Sequence, residues 1–218
     1  MHFEAGVQDF LNKFPGVTTK YAGHIATWSD FVNKGVLSDV LEHIYKGDVG
    51  ASGGRGAHVE SAIDNITTRI KPGKTLADYS LTPEGFRVGV ELEMFNKAAY
   101  DQHLDAIKNW ASKKPRTPDE KFIFGGKEFD QNPNNWNMDQ YWIAKDNATT
   151  LYPSTWDANT IELKISEAWK NGVKEVSDPL DSSKKALRGL TDEGIPLQFS
   201  IENLPPSVFA NFNIATWK

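Results

Sequence analysis

The sequence of 218 residues contains no cysteine. This absence excludes disulfide bonds, thiolate nucleophiles and cysteine-ligated zinc sites, so the fold must rest on its hydrophobic core. No apolar run approaches the roughly 18 residues that a membrane-spanning helix needs, and we expect no membrane span. The first four residues, Met1 to Glu4, supply neither the basic nor the apolar part of a secretory signal, so we expect no signal peptide in this chain.

An excess of positive charge is also absent. Lys and Arg number 24 against 29 Asp and Glu, which gives a formal net charge of −5. No global positive field therefore attracts nucleic acid, and any action on RNA must depend on a local pocket. The sequence has no phosphate-binding loop, dinucleotide fingerprint or HExxH motif, and we expect no cofactor.

The spacing of apolar residues predicts an α+β fold. Residues 1–40 have the pattern of a helical N-terminal segment, with candidate helix N-caps near Ser29 and Ser38. Residues 41–218 are expected to form antiparallel sheets with packed helices. The patterns predict helices over residues 7–14, 58–70, 97–113 and 157–171, strands over 86–94, 195–201 and 210–216, and an exposed linker over 178–192.

Residues 121–147 are rich in aromatic side chains, among them Phe129, Trp136, Tyr141 and Trp142. Aromatic rings in a loop can stack on RNA bases. They can equally fix the loop to the core, and we favour this interpretation because large aromatic side chains are mostly buried.

The most unusual stretch of the sequence runs from His43 to His58. It holds two of the five histidines, and five glycines but no proline lie between them. A segment so rich in glycine loses much backbone entropy when it is ordered and has no core of its own. Bringing two imidazoles to one point is a reason to hold it in place. We therefore expect a hairpin that places both rings within ~7 Å of each other, about two residue lengths.

Two converging imidazoles suit acid–base catalysis. In RNA cleavage, a neutral imidazole removes the proton of the ribose 2′-OH while an imidazolium protonates the departing 5′ oxygen. A nearby cation then stabilises the charge on the phosphorane. The alternative is a metal site formed by His43, Asp48 and His58, but its ligands would lie on a glycine-rich chain without a clear second shell.

These residues resemble the two-histidine signature of the EndoU endoribonucleases. The matching pattern is His43-Ile44, then Gly47-Asp48, then His58 after a glycine-rich segment. The family includes bacterial contact-dependent-inhibition toxins, eukaryotic poly(U)-specific enzymes and the coronaviral uridylate-specific endoribonuclease.

The resemblance continues downstream in the same order. Lys145 precedes Thr149 by four positions, as the catalytic lysine of the family precedes a serine or threonine. The run from Thr149 to Trp156 is similar to the Ser-Thr-Phe-Phe-Pro-x-x-Trp stretch of bacterial members. The run from Ile214 to Trp217 resembles the closing strand, whose threonine belongs to the active site.

The resemblance implies a role for each matching residue. His58 would be the general base, His43 the general acid, and Lys145 would stabilise the phosphorane. Thr149 would lie where the base of the cleaved nucleotide is read, and Thr216 would complete the catalytic set by helping to hold the substrate. The further substrate-binding residues implied are Gly56, Thr150 and Trp217.

Two features of the sequence depart from the family pattern. Many relatives place a tyrosine two positions after the final threonine, where this chain has Lys218. Either Trp217 supplies the aromatic surface or this member lacks that contact, which leaves the base preference open. The segment between His58 and Lys145 is longer than the resemblance leads us to expect, so residues 71–125 are predicted to contain an insertion.

The resemblance implies a metal-independent endoribonuclease, with its active site in a concave groove of the α+β fold. It would cut RNA to 2′,3′-cyclic phosphate and 5′-hydroxyl ends, with uridine sites and tRNA among the candidate targets. A bacterial toxin domain of this kind is expected to have a cognate immunity protein and to act in the cytoplasm of a target cell after delivery within a larger toxin. The alternative is a non-catalytic RNA-binding or protein-interaction domain on the same scaffold.

Overall fold

A computed structural model describes most of the chain from residue 36 onward. The predicted helical segment over residues 1–40 lies outside the described residues, apart from its last five. The closing strand predicted over 210–216 is described only as far as residue 212. The described residues are 36–50, 53–63, 66–112, 117, 120–172, 174–177, 185–200 and 207–212.

The described part of the chain has an α+β fold with three α-helices. They are α1 (Val36–Tyr45), α2 (Lys97–Ser112) and α3 (Ala158–Lys170). The side chain of Asp157 caps α3 by accepting a hydrogen bond of 2.7 Å from the Thr160 amide, which stabilises a helix by about 1 kcal/mol. The helices predicted over 97–113 and 157–171 are confirmed. None of the described helices combines the length and the apolar character needed to cross a membrane.

The strands of the described residues are β1 (Gly47–Gly50), β2 (Gly53–Gly56), β3 (Thr68–Ile70), β4 (Ser80–Leu81), β5 (Arg87–Val90), β6 (Leu92–Phe95), β7 (Phe122–Phe124), β8 (Lys127–Phe129), β9 (Trp142–Ala144), β10 (Thr149–Leu151), β11 (Lys174–Ser177), β12 (Lys185–Leu190), β13 (Pro196–Ser200) and β14 (Ser207–Ala210). They pair antiparallel in five small sheets, whose orders are β1-β2, β10-β5-β4, β11-β12-β13-β14, β3-β6-β9 and β7-β8.

The main core joins α1 and α3 to the sheets. Most apolar side chains on the inner faces of these helices are buried, as are Leu197, Phe199 and Val208 of the four-stranded sheet. The ring of Trp169 on α3 meets that of Phe199 edge-on at a centroid distance of 5.4 Å. This packing fixes the four-stranded sheet against α3.

A second, mostly aromatic core lies under α2. It consists of the buried side chains Ile107, Phe122, Phe129, Trp136 and Tyr141. The aromatic residues of the 121–147 segment therefore fix that segment to a core, as we favoured from the sequence.

The strand predicted over 86–94 is in fact two strands. β5 pairs with β4 and β10, whereas β6 pairs with β3 and β9. The chain leaves one sheet at Glu91 and enters the next, and Val90 and Leu92 on either side of this point are both buried in the main core. Periodicity alone could not show the break because hydrogen-bond partners distant in sequence decide it.

The α-helix predicted over 58–70 is wrong. The chain forms a single 3₁₀ turn over Glu60–Ala62 and then β3. The backbone of His58 is already committed to bonds with Ile44 and Tyr152, so it cannot begin a helix. Ile66, which the helical pattern placed on the buried face, is 87% exposed.

The exposed linker predicted over 178–192 is wrong for its second half, and its first half, residues 178–184, lies outside the described residues. Residues 185–190 form β12, which pairs with β11 on one side and β13 on the other. The sequence pattern did not predict this strand because Arg188, which is buried, places a charge in the middle of an apolar run.

Candidate active site

The last turn of α1 and the hairpin β1–β2 bring His43 and His58 together. Gly47 of β1 pairs with Gly56 of β2, so the chain returns directly to the end of α1. The His58 amide then donates to the Ile44 carbonyl at 2.7 Å. The imidazole centroids lie 5.3 Å apart, with 38° between the ring planes. The expected approach of the two rings to within ~7 Å, or about two residue lengths, is confirmed.

The bonds at this junction also complete the end of the helix. The last carbonyls of an α-helix have no partner within the helix. The Ala57 amide lies 3.1 Å from the carbonyl oxygens of both His43 and Lys46. One short segment thus caps α1 and sets the distance between the rings.

The glycines of the hairpin are explained by close packing. Gly56 has a φ of +77°, and a Cβ there would lie 2.1 Å from the Lys46 carbonyl oxygen. A Cβ on Gly54 would lie 2.7 Å from the Met94 side chain, and one on Gly47 would lie 2.4 Å from the Met94 sulfur. The hairpin therefore lies so close to β6 and the end of α1 that a larger residue would displace the Met94 side chain or, at position 56, clash with the backbone.

His58 is buried, with 7% of its surface exposed. Its Nδ1 lies 3.2 Å from the Thr150 carbonyl oxygen and 2.9 Å from Thr149 Oγ1. Burial, and secondly the charges of Lys145 and His43, hold the pKa of His58 well below its usual range. The ring is therefore neutral at pH 7 and can accept a proton. No α-helix begins at His58, so burial and not a helix dipole is the main cause of the lowered pKa.

Lys145 directly follows β9 and lies beside the hairpin. Its amide donates to the Leu92 carbonyl at 2.8 Å, which ties it to β6. Its Nζ donates to the Gly56 carbonyl at 2.8 Å and to Thr149 Oγ1 at 3.0 Å. Burial lowers the pKa of Lys145 to about 7. A phosphate bound nearby would favour the ammonium form, because an opposite charge stabilises it.

The structure brings together six of the eight residues that the sequence nominated. The two histidines and Lys145 are joined there by Gly56, Thr149 and Thr150. Gly56 and Thr150 use their carbonyl groups to hold Lys145 and His58, whereas Thr149 uses its hydroxyl. Their contacts with a substrate stay predictions. The other two nominated residues, Thr216 and Trp217, lie outside the described residues.

One aromatic neighbour of the site was missed by the sequence reasoning. The ring of Phe209 on β14 lies nearly parallel to that of His58, with a centroid distance of 6.2 Å and 10° between the planes. Phe209 is half-buried, whereas its neighbours Val208 and Ala210 are buried in the main core. The alternation of Val208, Phe209 and Ala210 could have revealed a strand there, but we placed its start at residue 210.

No three histidine, aspartate or glutamate side chains within the described residues lie close enough together to hold a metal ion. The side chain of Asp48, which the metal alternative requires, lies outside those described.

The candidate active site is thus defined by the geometry of His43, His58 and Lys145 within this one chain. Comparison with models of protein families, with curated proteins and with solved structures gave no match.

Proposed function

We propose that this protein is a metal-independent endoribonuclease that cleaves RNA by transphosphorylation. The observation that carries the proposal is the pair of imidazoles, 5.3 Å apart, beside a lysine amine bound 3.0 Å from Thr149. Acid, base and cation are the three groups that this reaction needs, and they occur in one cluster. The resemblance to the EndoU endoribonucleases rests on the same residues and supports the same reaction.

His58 acts as the general base. Its neutral ring takes the proton of the ribose 2′-OH, and the 2′ oxygen attacks the adjacent phosphorus atom. The resulting imidazolium remains beside the Thr150 carbonyl, which accepts a hydrogen bond from Nδ1 and so stabilises the charged ring.

His43 acts as the general acid. It lies in the last turn of α1, where the negative end of the helix dipole favours a cationic side chain. Its imidazolium donates a proton to the 5′ oxygen as the bond between this oxygen and phosphorus breaks. The products are a 2′,3′-cyclic phosphate and a 5′-hydroxyl.

Lys145 stabilises the negative charge on the phosphorane. Its ammonium is held by two oxygen acceptors, the Gly56 carbonyl and the Thr149 hydroxyl. A preorganised cation costs little reorganisation when the charge develops, and such stabilisation is often the largest contribution to catalysis.

The biological setting belongs to the same proposal. A domain with this activity, carried into a target cell as part of a larger bacterial toxin, would act on cytoplasmic RNA. Its producer would need an immunity protein to restrain it. The site itself, a small acid–base cluster in a chain with a net charge of −5, suits a single-stranded RNA segment that can reach a local pocket.

The decisive experiment is incubation of the purified protein with RNA of mixed sequence in excess EDTA. We expect cleavage, with 2′,3′-cyclic phosphate and 5′-hydroxyl ends detected by mass spectrometry, and no cleavage of an RNA that carries 2′-deoxyribose at the cut site. Loss of activity on chelation would favour the metal alternative. An absence of cleavage under all conditions would favour a binding domain.

Variants link the activity to the site. We expect His43→Ala and His58→Ala each to lower kcat by about 10²–10⁴-fold, the usual contribution of acid–base catalysis. The matched control is His103→Gln, because His103 packs against the aromatic rings of the second core and its Nδ1 lies 2.7 Å from the Tyr141 hydroxyl. This variant should retain activity within about 3-fold, which is under 1 kcal/mol of transition-state stabilisation.

A further inference from the structure

The hydroxyl of Thr149 occupies a central place between the base and the cation. It lies 2.9 Å from His58 Nδ1 and 3.0 Å from Lys145 Nζ. Thr149 belongs to β10, and only 3% of its surface is exposed. The resemblance assigns this position to reading the base of the substrate, but its hydroxyl contacts the catalytic groups themselves.

We propose that Thr149 is a positioning residue, whose hydroxyl fixes the proton of His58 on Nδ1 together with the Thr150 carbonyl and holds the Lys145 amine beside the same ring. This inference deepens the proposed function and rests on it for its kinetic consequences. The arrangement of protons does not depend on RNA cleavage and can be measured separately.

The direction of the hydrogen bonds follows from the Thr150 carbonyl. A carbonyl oxygen only accepts, so a lone pair on His58 Nδ1, 3.2 Å away, would face the lone pairs of that oxygen. The tautomer with its proton on Nδ1 avoids this repulsion and can share the proton with Thr149 Oγ1. The basic lone pair of the neutral ring is then on Nε2.

The hydroxyl oxygen of Thr149 can serve both neighbours at once. It has two lone pairs, one for the Nδ1 proton of His58 and one for the Lys145 ammonium. A base of the substrate that bound this oxygen would have to displace one of these donors. Loss of the hydroxyl should therefore impair the chemical step more than substrate binding.

The first measurement uses the unaltered protein. In ¹⁵N-edited NMR spectra of the imidazole rings, we expect neutral His58 to have the pattern of the Nδ1-protonated tautomer. A predominant Nε2-protonated tautomer would overturn the proposal, whether or not the protein cleaves RNA. No variant has to fold for this result to be decisive.

The second measurement compares Thr149→Val with Thr149→Ser. Valine keeps the shape of threonine without the hydroxyl, whereas serine keeps the hydroxyl without the methyl group. We expect Thr149→Val to lower kcat by about 10–100-fold with KM within about 3-fold, and to raise the share of the Nε2-protonated tautomer. In Thr149→Ser, kcat and the share of the Nε2-protonated tautomer should be near those of the unaltered protein.

Three results would contradict the proposal. The first is a rise in KM alone in Thr149→Val, which would indicate a contact with the substrate base. The second is an unchanged tautomer in that variant. The third is a failure of Thr149→Ser to restore kcat, which would indicate that the methyl group acts by packing. If the protein does not cleave RNA, the tautomers of the three proteins still decide whether Thr149 positions His58.

Discussion

Burial sets the charge of both ionisable groups at the centre of the site. Burial lowers the pKa of His58, and it lowers the pKa of Lys145 from 10.5 to about 7. The unfolded chain, where Lys145 has its ordinary pKa, binds more protons than the folded chain between these two values. Stability therefore rises with pH through this window, because the unfavourable burial of an ammonium is relieved.

The Lys145→Met variant tests this relation at the residue scale. Methionine keeps an unbranched apolar stem without the charge, so we expect the variant to be more stable than the unaltered protein at pH 6 to 7 by a few kcal/mol at most. The difference should shrink between pH 7 and 10.5. Chemical denaturation at several pH values measures it, and Lys108→Met, at a 72% exposed side chain, is the matched control. A constant difference across the window would contradict the lowered pKa.

The same two groups, together with the general acid His43, determine the pH dependence of cleavage. The general base must be neutral, and the pKa of His58 is lowered by burial, so kcat/KM should rise at a pH well below 6.5. It should fall above about pH 7, where Lys145 loses its proton. We expect a bell-shaped profile in the free-enzyme parameter kcat/KM. A profile that keeps rising to pH 9 would show that neither the Lys145 ammonium nor a protonated general acid is required.

At the scale of elements, the site depends on the fit of the β1–β2 hairpin against α1. Alanine at position 56 would have a φ of +77° and a Cβ 2.1 Å from the Lys46 carbonyl oxygen. Because this backbone contact cannot relax without moving His58, we expect Gly56→Ala to destabilise the protein by about 2 kcal/mol or more and to abolish cleavage. Thermal unfolding and the RNA assay measure the two effects.

Gly50→Ala is the control within the same hairpin. A Cβ there meets the flexible end of Arg55 at 3.2 Å, and this side chain can move away. We expect a change in stability of about 0.5 kcal/mol or less, as for ordinary surface substitutions. If both alanine variants behaved alike, the hairpin would not be held by the close contact at Gly56.

The elements also show what the sequence could predict. α2 and α3 were predicted within one or two residues because their apolar stripes and the Asp157 cap are local features. The division between β5 and β6 and the burial of β12 depend on partners far along the chain. Local patterns carry no information about such partners.

At the scale of the whole molecule, the site gathers residues from distant parts of the chain. His43 comes from α1, His58 from the segment after β2, and Lys145 from the end of β9. The sequence could nominate these residues, through the glycine-rich spacing and a family resemblance. It could not give the burial that determines their charges, nor the approach of Phe209, because both arise only when the sheets assemble.

The candidate active site and the α2 segment are supported by two different hydrophobic cores. The site lies on the main core, whereas the second core contains Ile107, the aromatic residues of β7 and β8, Trp136 and Tyr141. Truncating a buried isoleucine costs about 2–5 kcal/mol. We expect Ile107→Ala to lower the hydrogen-exchange protection of α2, β7 and β8 while the amides of Ala57 and His58 stay protected.

The matched substitution in the main core is Ile165→Ala on α3, which removes the same atoms from a buried site. It should lower the protection of the Ala57 and His58 amides and reduce RNA cleavage at temperatures where Ile107→Ala remains active. Hydrogen exchange followed by mass spectrometry, with the RNA assay on the same samples, separates the two cases. If Ile107→Ala removed protection at His58 to the same extent, both cores would unfold as one cooperative unit, and the second core would be part of what holds the two imidazoles together.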